Sequence, residues 1–355
     1  MTSTGGLENG VQMVAVDGHA SIGLDWFAGE LALVHTPHGA LRVTITKGSG
    51  APDQPLLLTV PDVGTSSRDC FAATMAVPLR ASSVGKAELA LPDIFRLAHV
   101  HHPGCADADA NPVRVIGVPG GNGSASPSTL DAFGDAVGAV AAALSSELGT
   151  APVVGLGQGA GGYALALAAS RKRAVLKGLV LVSPLSRSAG WTETFNVRTT
   201  AASLSYRGGA SNGVVNYVAS RIFGHIALGG GGPGGDCARA YRQRLAEHLN
   251  GSSDARAALS ASLSMLASRP NLVERGDVGR IACRTLIICG VHSAHRDDAL
   301  ALSGGLPMTS RCSFLEVDNA GAMAEEESPG TIAGPIRALL ASMKATGLLS
   351  PLLAL

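Results

Sequence analysis

The sequence predicts an α/β protein whose mostly parallel sheet is covered by helices on both faces. Short, continuous apolar runs of strand length recur along the 355 residues, and segments of helical periodicity fall between them. Such alternation makes each helix a crossover between parallel strands. From about residue 187 to 276 the alternation stops, and Gly-rich and helical sequence replaces it, including VVNYVASRIFGHIAL and CARAYRQRLAEHLN. An inserted helical cap accounts for that interruption.

Taken in order, residues 1–30 show no sustained periodicity and read as a loose N-terminal arm. LALVH at 31–35, the turn TPHG and LRVTIT at 41–46 make a hairpin pattern, and PLLLTV at 55–60 is a buried strand. LAHV near 97, PVVGLG near 152, GLVLVS near 178, RTLIIC near 284 and SFLEV near 313 bring the sheet to eight strands. Leu130, Phe133, Val137, Val140, Leu144 and Leu148 recur at spacings of three and four and so share one helix face, with Ser128 and Asp131 supplying its N-terminal cap. One domain over 31–345 holds these elements, followed by a short tail at 346–355.

Composition narrows the function classes. Lys plus Arg and Asp plus Glu are both 27, so the formal net charge is zero, and no long run of one sign occurs. Binding to nucleic acid or an anionic membrane by bulk electrostatics is disfavoured. No stretch of about twenty apolar residues is present to cross a bilayer. MTSTGGLENGVQM lacks a basic region leading into an apolar run, so a cytoplasmic location is expected. Cys70, Cys105, Cys237, Cys283, Cys289 and Cys312 lie far apart without CxxC spacing and are expected to be buried, reduced thiols.

The most specific local signal is VVGLGQGAGGYALALAAS, a strand that ends in glycines and opens directly into a helix. Gly155-Leu156-Gly157-Gln158-Gly159 has the spacing of the G-x-S-x-G nucleophile elbow, which points to the α/β-hydrolase fold. In this frame the nucleophile position is Gly157, which has no side chain. The acid position, three residues beyond the strand TLIICG, is Ser293, and the base position in Asn319-Ala320-Gly321-Ala322-Met323 is Ala322. Three vacancies argue against triad chemistry, because losing one member already removes several orders of magnitude in rate. A dinucleotide-binding reading of the same glycines lacks the acidic residue expected about twenty residues on. Gly209-Ala210-Ser211-Asn212-Gly213 satisfies G-x-S-x-G literally but follows no strand and reads as chance.

Backbone donors survive the loss of the side chains. The N–H of Gln158 and one near Val63, with Asp62 and Gly157 beside them, form an oxyanion-type nest that could take a small acidic or carbonyl ligand. His99, His101 and His102, with His292 and His295, are read as ordinary surface or loop histidines, since no H-E-x-x-H spacing supports a metal. Neither a metal nor a cofactor is expected. Asp297 and Asp298 read as solvated loop carboxylates, and Glu325 to Glu327 as charges flanking the last helix.

Ordered segments over about 300 residues resemble the N-myc downstream-regulated (NDR) family. VHTPHGALRVTI is similar to its opening hairpin, LLLTVPDVG to its strand and H-D-x-G turn, and HVHHPG to its H-V-D-x-P-G. GLGQGAGGY, KGLVLVSPLSRSAGW, AYRQRL and SRPNLVER are similar to further family segments. Pro61 and His101 depart from the family's His and Asp, and no Ser/Arg-rich tail follows LLSPLLAL. The resemblance implies a hydrolase fold without a competent triad and a role in stress response, growth or differentiation. It also implies protein partners, G-protein signalling components among them. A hydrolase using His101, His102 or Asp62, or a small-ligand binder using the nest, is the alternative.

Overall fold

The computed structural model describes residues 12–16, 19–23, 26–47, 54–79, 89–102, 114–117, 126–149, 151–172, 174–206, 209–231, 234–307 and 312–349. Eleven strands run in chain order as β1 (Gln12–Val16), β2 (His19–Gly23), β3 (Glu30–Thr36), β4 (Gly39–Ile45), β5 (Leu56–Val60), β6 (Arg96–His101), β7 (Arg114–Gly117), β8 (Val153–Gln158), β9 (Leu176–Val182), β10 (Arg284–Gly290) and β11 (Cys312–Val317). Nine of them form the main sheet, ordered β11-β10-β9-β8-β5-β6-β4-β3-β7. Only β4 runs antiparallel to its neighbours, β3 and β6.

The sheet therefore has one strand more than the eight expected. The addition is β7, a four-residue edge strand parallel to β3. Its sequence, RVIG, is only four residues long and sits between prolines at 112 and 119, so it does not stand out from a loop. A second difference lies in the arm, where β1 and β2 pair antiparallel from Gln12↔Gly23 to Val16↔His19. The Asp17-Gly18 dipeptide between them is a strong hairpin signal, although two strands of five residues are too short to show sustained periodicity.

The helices are α1 (Ser67–Ala76), α2 (Leu91–Ile94), α3 (Leu130–Glu147), α4 (Gly159–Arg171), α5 (Trp191–Tyr206), α6 (Asn212–Ile222), α7 (His225–Leu228), α8 (Gly234–Gly251), α9 (Ser253–Ala267), α10 (Arg296–Gly305), α11 (Ala324–Glu327) and α12 (Pro329–Ala345). In α3 the residues at three-and-four spacing are buried as their periodicity requires, apart from Leu148 just past its end. Its N-cap is Thr129, whose hydroxyl accepts from the Ala132 N–H, one position beyond Ser128. Ser211 likewise caps α6, which gives the chance G-x-S-x-G a structural role. No helix among the described residues is long and apolar enough to cross a membrane.

Helices α5 to α9 lie between β9 and β10. The Leu272 N–H donates to the Ser186 carbonyl at 2.8 Å, bringing the two ends of this insert together. Tyr241 of α8 donates its hydroxyl to the Gly64 carbonyl at 2.8 Å, and the Met323 N–H donates to the Ile222 carbonyl at 3.0 Å. The insert is thus tied to the loops after β5 and β11, over the carboxyl ends of the strands. Sites in open α/β sheets form at that end.

The central strands are buried on both faces, and Leu58 in β5 is inaccessible to solvent. Leu58→Ala is expected to lower the free energy of unfolding by about 2–5 kcal/mol, while Leu300→Ala on the surface changes it by no more than about 0.5 kcal/mol. Denaturant melts of the two variants check the contrast.

Candidate functional site

Strand β8 pairs with β9 through Gly157↔Leu181 and Gln158↔Val182, so Gly157 is still inside the sheet. The turn comes two residues later than the sequence frame placed it. Gly159 carries φ +52, a conformation that favours glycine, and α4 starts there. The elbow frame is therefore Gly157-Gln158-Gly159-Ala160-Gly161, and the residue at the nucleophile position is Gly159. Gly157 must be small for another reason, because a Cβ there would press on Leu165 at 2.7 Å and on the Gly161 backbone. Gly161 has no room either, since the Val60 and Pro61 carbonyls lie against it.

Asp62 sits directly over this turn. Its Oδ1 accepts from the Val63 N–H and the Ala160 N–H, each at 2.8 Å. These are the two kinds of donor that make a hydrolase oxyanion hole: the amide after the nucleophile and one from the loop after an inner strand. The expected nest is thus corrected in two ways. Ala160 replaces Gln158 as the helix-side donor, and the acceptor is the protein's own Asp62 rather than a free ligand. A Cβ at Gly159 would fall on the same carboxylate. Burial pushes the Asp62 carboxyl up, against the opposing pull of the Arg221 guanidinium and the two amides.

Gln158 contributes its side chain instead. Its Oε1 accepts from the Cys70 thiol at 2.6 Å, and its Nε2 donates to the Ala322 carbonyl at 3.4 Å. The elbow and the base position are therefore in contact, through an amide where a hydrolase has an imidazole. Ser293, at the acid position, is buried and accepts from the His295 N–H at 3.1 Å, so its hydroxyl braces the loop after β10. Burial and Glu325 drive the Cys70 thiol well above its ordinary range, which leaves it a poor nucleophile. The elbow position itself, Gly159, carries no side chain.

Several polar residues expected at the surface are interior. His99, His101 and His102 are all buried. The Trp26 carbonyl can only accept, so His99 donates to it from Nε2 at 3.1 Å and uses Nδ1 towards Thr59 at 2.7 Å. Burial lowers its imidazole to about 4. His101 bonds Thr44 at 2.7 Å, and His102 lies 4.5 Å from the Phe133 ring. His292 is exposed and meets His225 edge-on at 4.5 Å, whereas His295 is buried. Asp298 is buried and accepts from the Ser186 and Arg187 amides at 3.0 and 2.6 Å, while Asp297 faces solvent. The exposed His292 and Asp297 agree with the surface reading, whereas the buried residues depart from it because sequence alone does not show which polar groups have partners inside.

Glu325 to Glu327 also point inward. Glu327 accepts from the Gly321 N–H at 2.9 Å, and Glu326 accepts from the Ala73 N–H at 2.7 Å. Glu325 is fully buried with neither oxygen partnered, and burial pushes its carboxyl far up. Of the cysteines, Cys70 and Cys289 are buried, Cys283 and Cys312 are half-buried and Cys237 is exposed, correcting the expectation of uniform burial; Cys105 lies outside the described residues. No group of three or more His, Cys, Asp or Glu among the described residues is placed to hold a metal.

Known proteins share this frame. The chain matches the model of the Ndr family over residues 32–350. Protein NDL1 of Arabidopsis thaliana is 26% identical over 325 residues, covering 90% of this chain and 83% of NDL1. Protein NDRG2 of Danio rerio is 24% identical over 309 residues, covering 86% and 72%. A thermophilic esterase from Thermogutta terrifontis superposes with TM-score 0.63 at 20% identity, covering 88% of this chain and 99% of the esterase. A hydrolase from Pseudomonas aeruginosa gives TM-score 0.63 at 18% identity, with coverage of 88% and 99%. At these identities the likeness is one of fold, the α/β-hydrolase fold.

Asp62→Ala leaves two buried amides without an acceptor and is expected to cost about 2–4 kcal/mol of stability, with Asp62→Asn costing less. Gly159→Ala should be less damaging in the Asp62→Ala background than alone, with a coupling of about 1 kcal/mol or more in a double-mutant cycle. Glu326 is held at about 8 by burial, above the 4.5 of a free glutamate. A raised carboxyl contributes stability that is complete below the unfolded value and is lost as pH rises through the folded one. Glu326→Gln should therefore flatten the decline in denaturation midpoint between about pH 5 and pH 8, measured against the parent chain.

Proposed function

The chain belongs to the Ndr family, and on that premise we propose that it is a non-enzymatic signalling or adaptor protein that offers a hydrolase scaffold to protein partners. Asp62 carries this reading: its carboxylate occupies both oxyanion donors and overlies a glycine where a nucleophile would stand. A substrate carbonyl has no donor pair left to polarise it. The absence of a side chain at Gly159 and of an imidazole at Ala322 supports the same conclusion. A hydrolytic role for His101 or His102 has little support, since both rings are buried against Thr44 and Phe133.

A partner surface is available on α5. Trp191, Phe195 and Tyr206 are 84%, 57% and 90% exposed, and the first two rings stack at 6.1 Å. Exposed aromatic groups of this kind are enriched at the energetic centres of interfaces. The family resemblance supports reading the role as a cytoplasmic one in stress response, growth or differentiation, with G-protein signalling components as the expected partners.

Purified protein is expected to give no saturable turnover on a panel of short acyl and phosphate esters. Turnover abolished by Asp62→Ala or His101→Ala would sink the non-enzymatic reading. In affinity purification, Trp191→Ala/Tyr206→Ala should lose specific partners, as removal of hot-spot side chains worth about 2 kcal/mol or more requires, with an unchanged melting temperature.

A further inference from the structure

The end of the sheet opposite the elbow carries two neighbouring cavities. One, of about 340 Å³, lies between β10, β11 and α12, where Leu286, Leu315, Pro335 and Leu339 give it apolar walls. The other, of about 360 Å³, lies at the amino ends of β9 and β10, with Lys177 and Thr346 in its wall. Arg284, the first residue of β10, lines both. Each volume falls within the range of small-molecule sites, about 300–1,000 Å³.

Alternation along β10 puts Arg284 and Leu286 on the same face of the sheet, so a cation stands where the aliphatic slot ends. Arg284 is half-buried, and its neighbour across the ladder to β9 is Gly178, which has no side chain to engage it. Among the described residues its guanidinium makes no ion pair and no hydrogen bond. Lys177 gives its Nζ to the Ala174 carbonyl at 2.7 Å, so its charge is present but one of its donors is committed. No Asp or Glu is among the described residues that line either cavity. The β11 carboxylate of Glu316 is bonded instead to Arg296 at 2.6 Å.

An apolar slot ending in a cation that no acid neutralises complements a molecule that is apolar along its length and negative at one end. Of the two cations, only Arg284 has its donors wholly open, and the guanidinium fork matches a planar carboxylate through two parallel bonds. We propose that the slot between β10, β11 and α12 binds a free medium-chain fatty acid. The alkyl tail lies against Leu286, Leu315 and Leu339, the carboxylate meets Arg284, and Lys177 adds positive charge from the adjoining cavity. The site is at the amino ends of the strands, away from Asp62, and it stands whether or not the elbow is catalytic.

Isothermal titration calorimetry of the full chain with sodium butanoate, hexanoate and octanoate, each below its micelle concentration, tests the assignment. Affinity is expected to rise about fourfold per added methylene, the equivalent of about 0.8 kcal/mol for each one buried. Arg284→Met should weaken octanoate by about tenfold or more, as loss of a charged hydrogen-bond donor pair requires. Ala338→Glu, at an exposed position of α12 that lines the slot, sets a second carboxylate beside the ligand and should weaken octanoate as well. It serves as the independent variant in case Arg284→Met disturbs β10, with circular dichroism reporting the fold. Absence of saturable octanoate binding, equal binding of octan-1-ol or octylammonium, or affinity retained in the folded variants overturns the proposal. So does octyl phosphate binding more tightly than octanoate, which would assign a phosphate head instead. A crystal grown with octanoate in which residues 350–355 of the chain fill the slot overturns it too.

Discussion

One carboxylate organises the centre of this molecule. Asp62 Oδ1 bridges the loop after β5 to the first turn of α4 through two amides at 2.8 Å. In a working hydrolase that pair of donors waits for charge that appears only during reaction. Here an oxygen of the protein's own carboxyl group already accepts from both, so the turn is satisfied in the resting protein. The glycines follow from it: Gly159 leaves room for the carboxylate, and Gly161 lets the Val60 and Pro61 carbonyls approach α4.

The same closure extends outward to the insert. Gly321, beside the base position, lies so close to the Gly224 backbone that a Cβ at 321 would overlap it. Glu327 reaches both amides, at 2.9 Å to Gly321 and 3.5 Å to Gly224. Tyr241 fixes α8 to Gly64, two residues past Asp62. What would be a mobile lid over a substrate is joined by backbone contacts to the loops that would bear the catalytic groups.

Polar burial is where sequence reading went furthest astray. Three consecutive glutamates, a His-x-His-His cluster and Asp298 all resemble surface residues, because charged and imidazole side chains mostly are exposed. Several of them are met by backbone amides and hydroxyls from segments far away in the chain: Ala73 for Glu326, Thr44 for His101, Ser186 for Asp298. No local pattern encodes such pairings. The β1–β2 hairpin differs, since Asp17-Gly18 advertises it within four residues, as does the cap of α3, missed by one position.

By itself the sequence determined the parallel sheet, the buried face of α3, the helical character of the stretch between β9 and β10 and the run of glycines that shapes the elbow. Each depends on local periodicity or on the identity of one residue. The elbow frame was beyond it, because glycines at 155, 157, 159 and 161 offer two overlapping registers with the same spacing. Tertiary structure chose between them: pairing of β8 with β9 carries the strand through Gln158, and the Asp62 carboxylate fills the space above Gly159. The turn falls where neighbouring strands stop holding the chain and an acid 97 positions earlier occupies the space, which are both non-local facts.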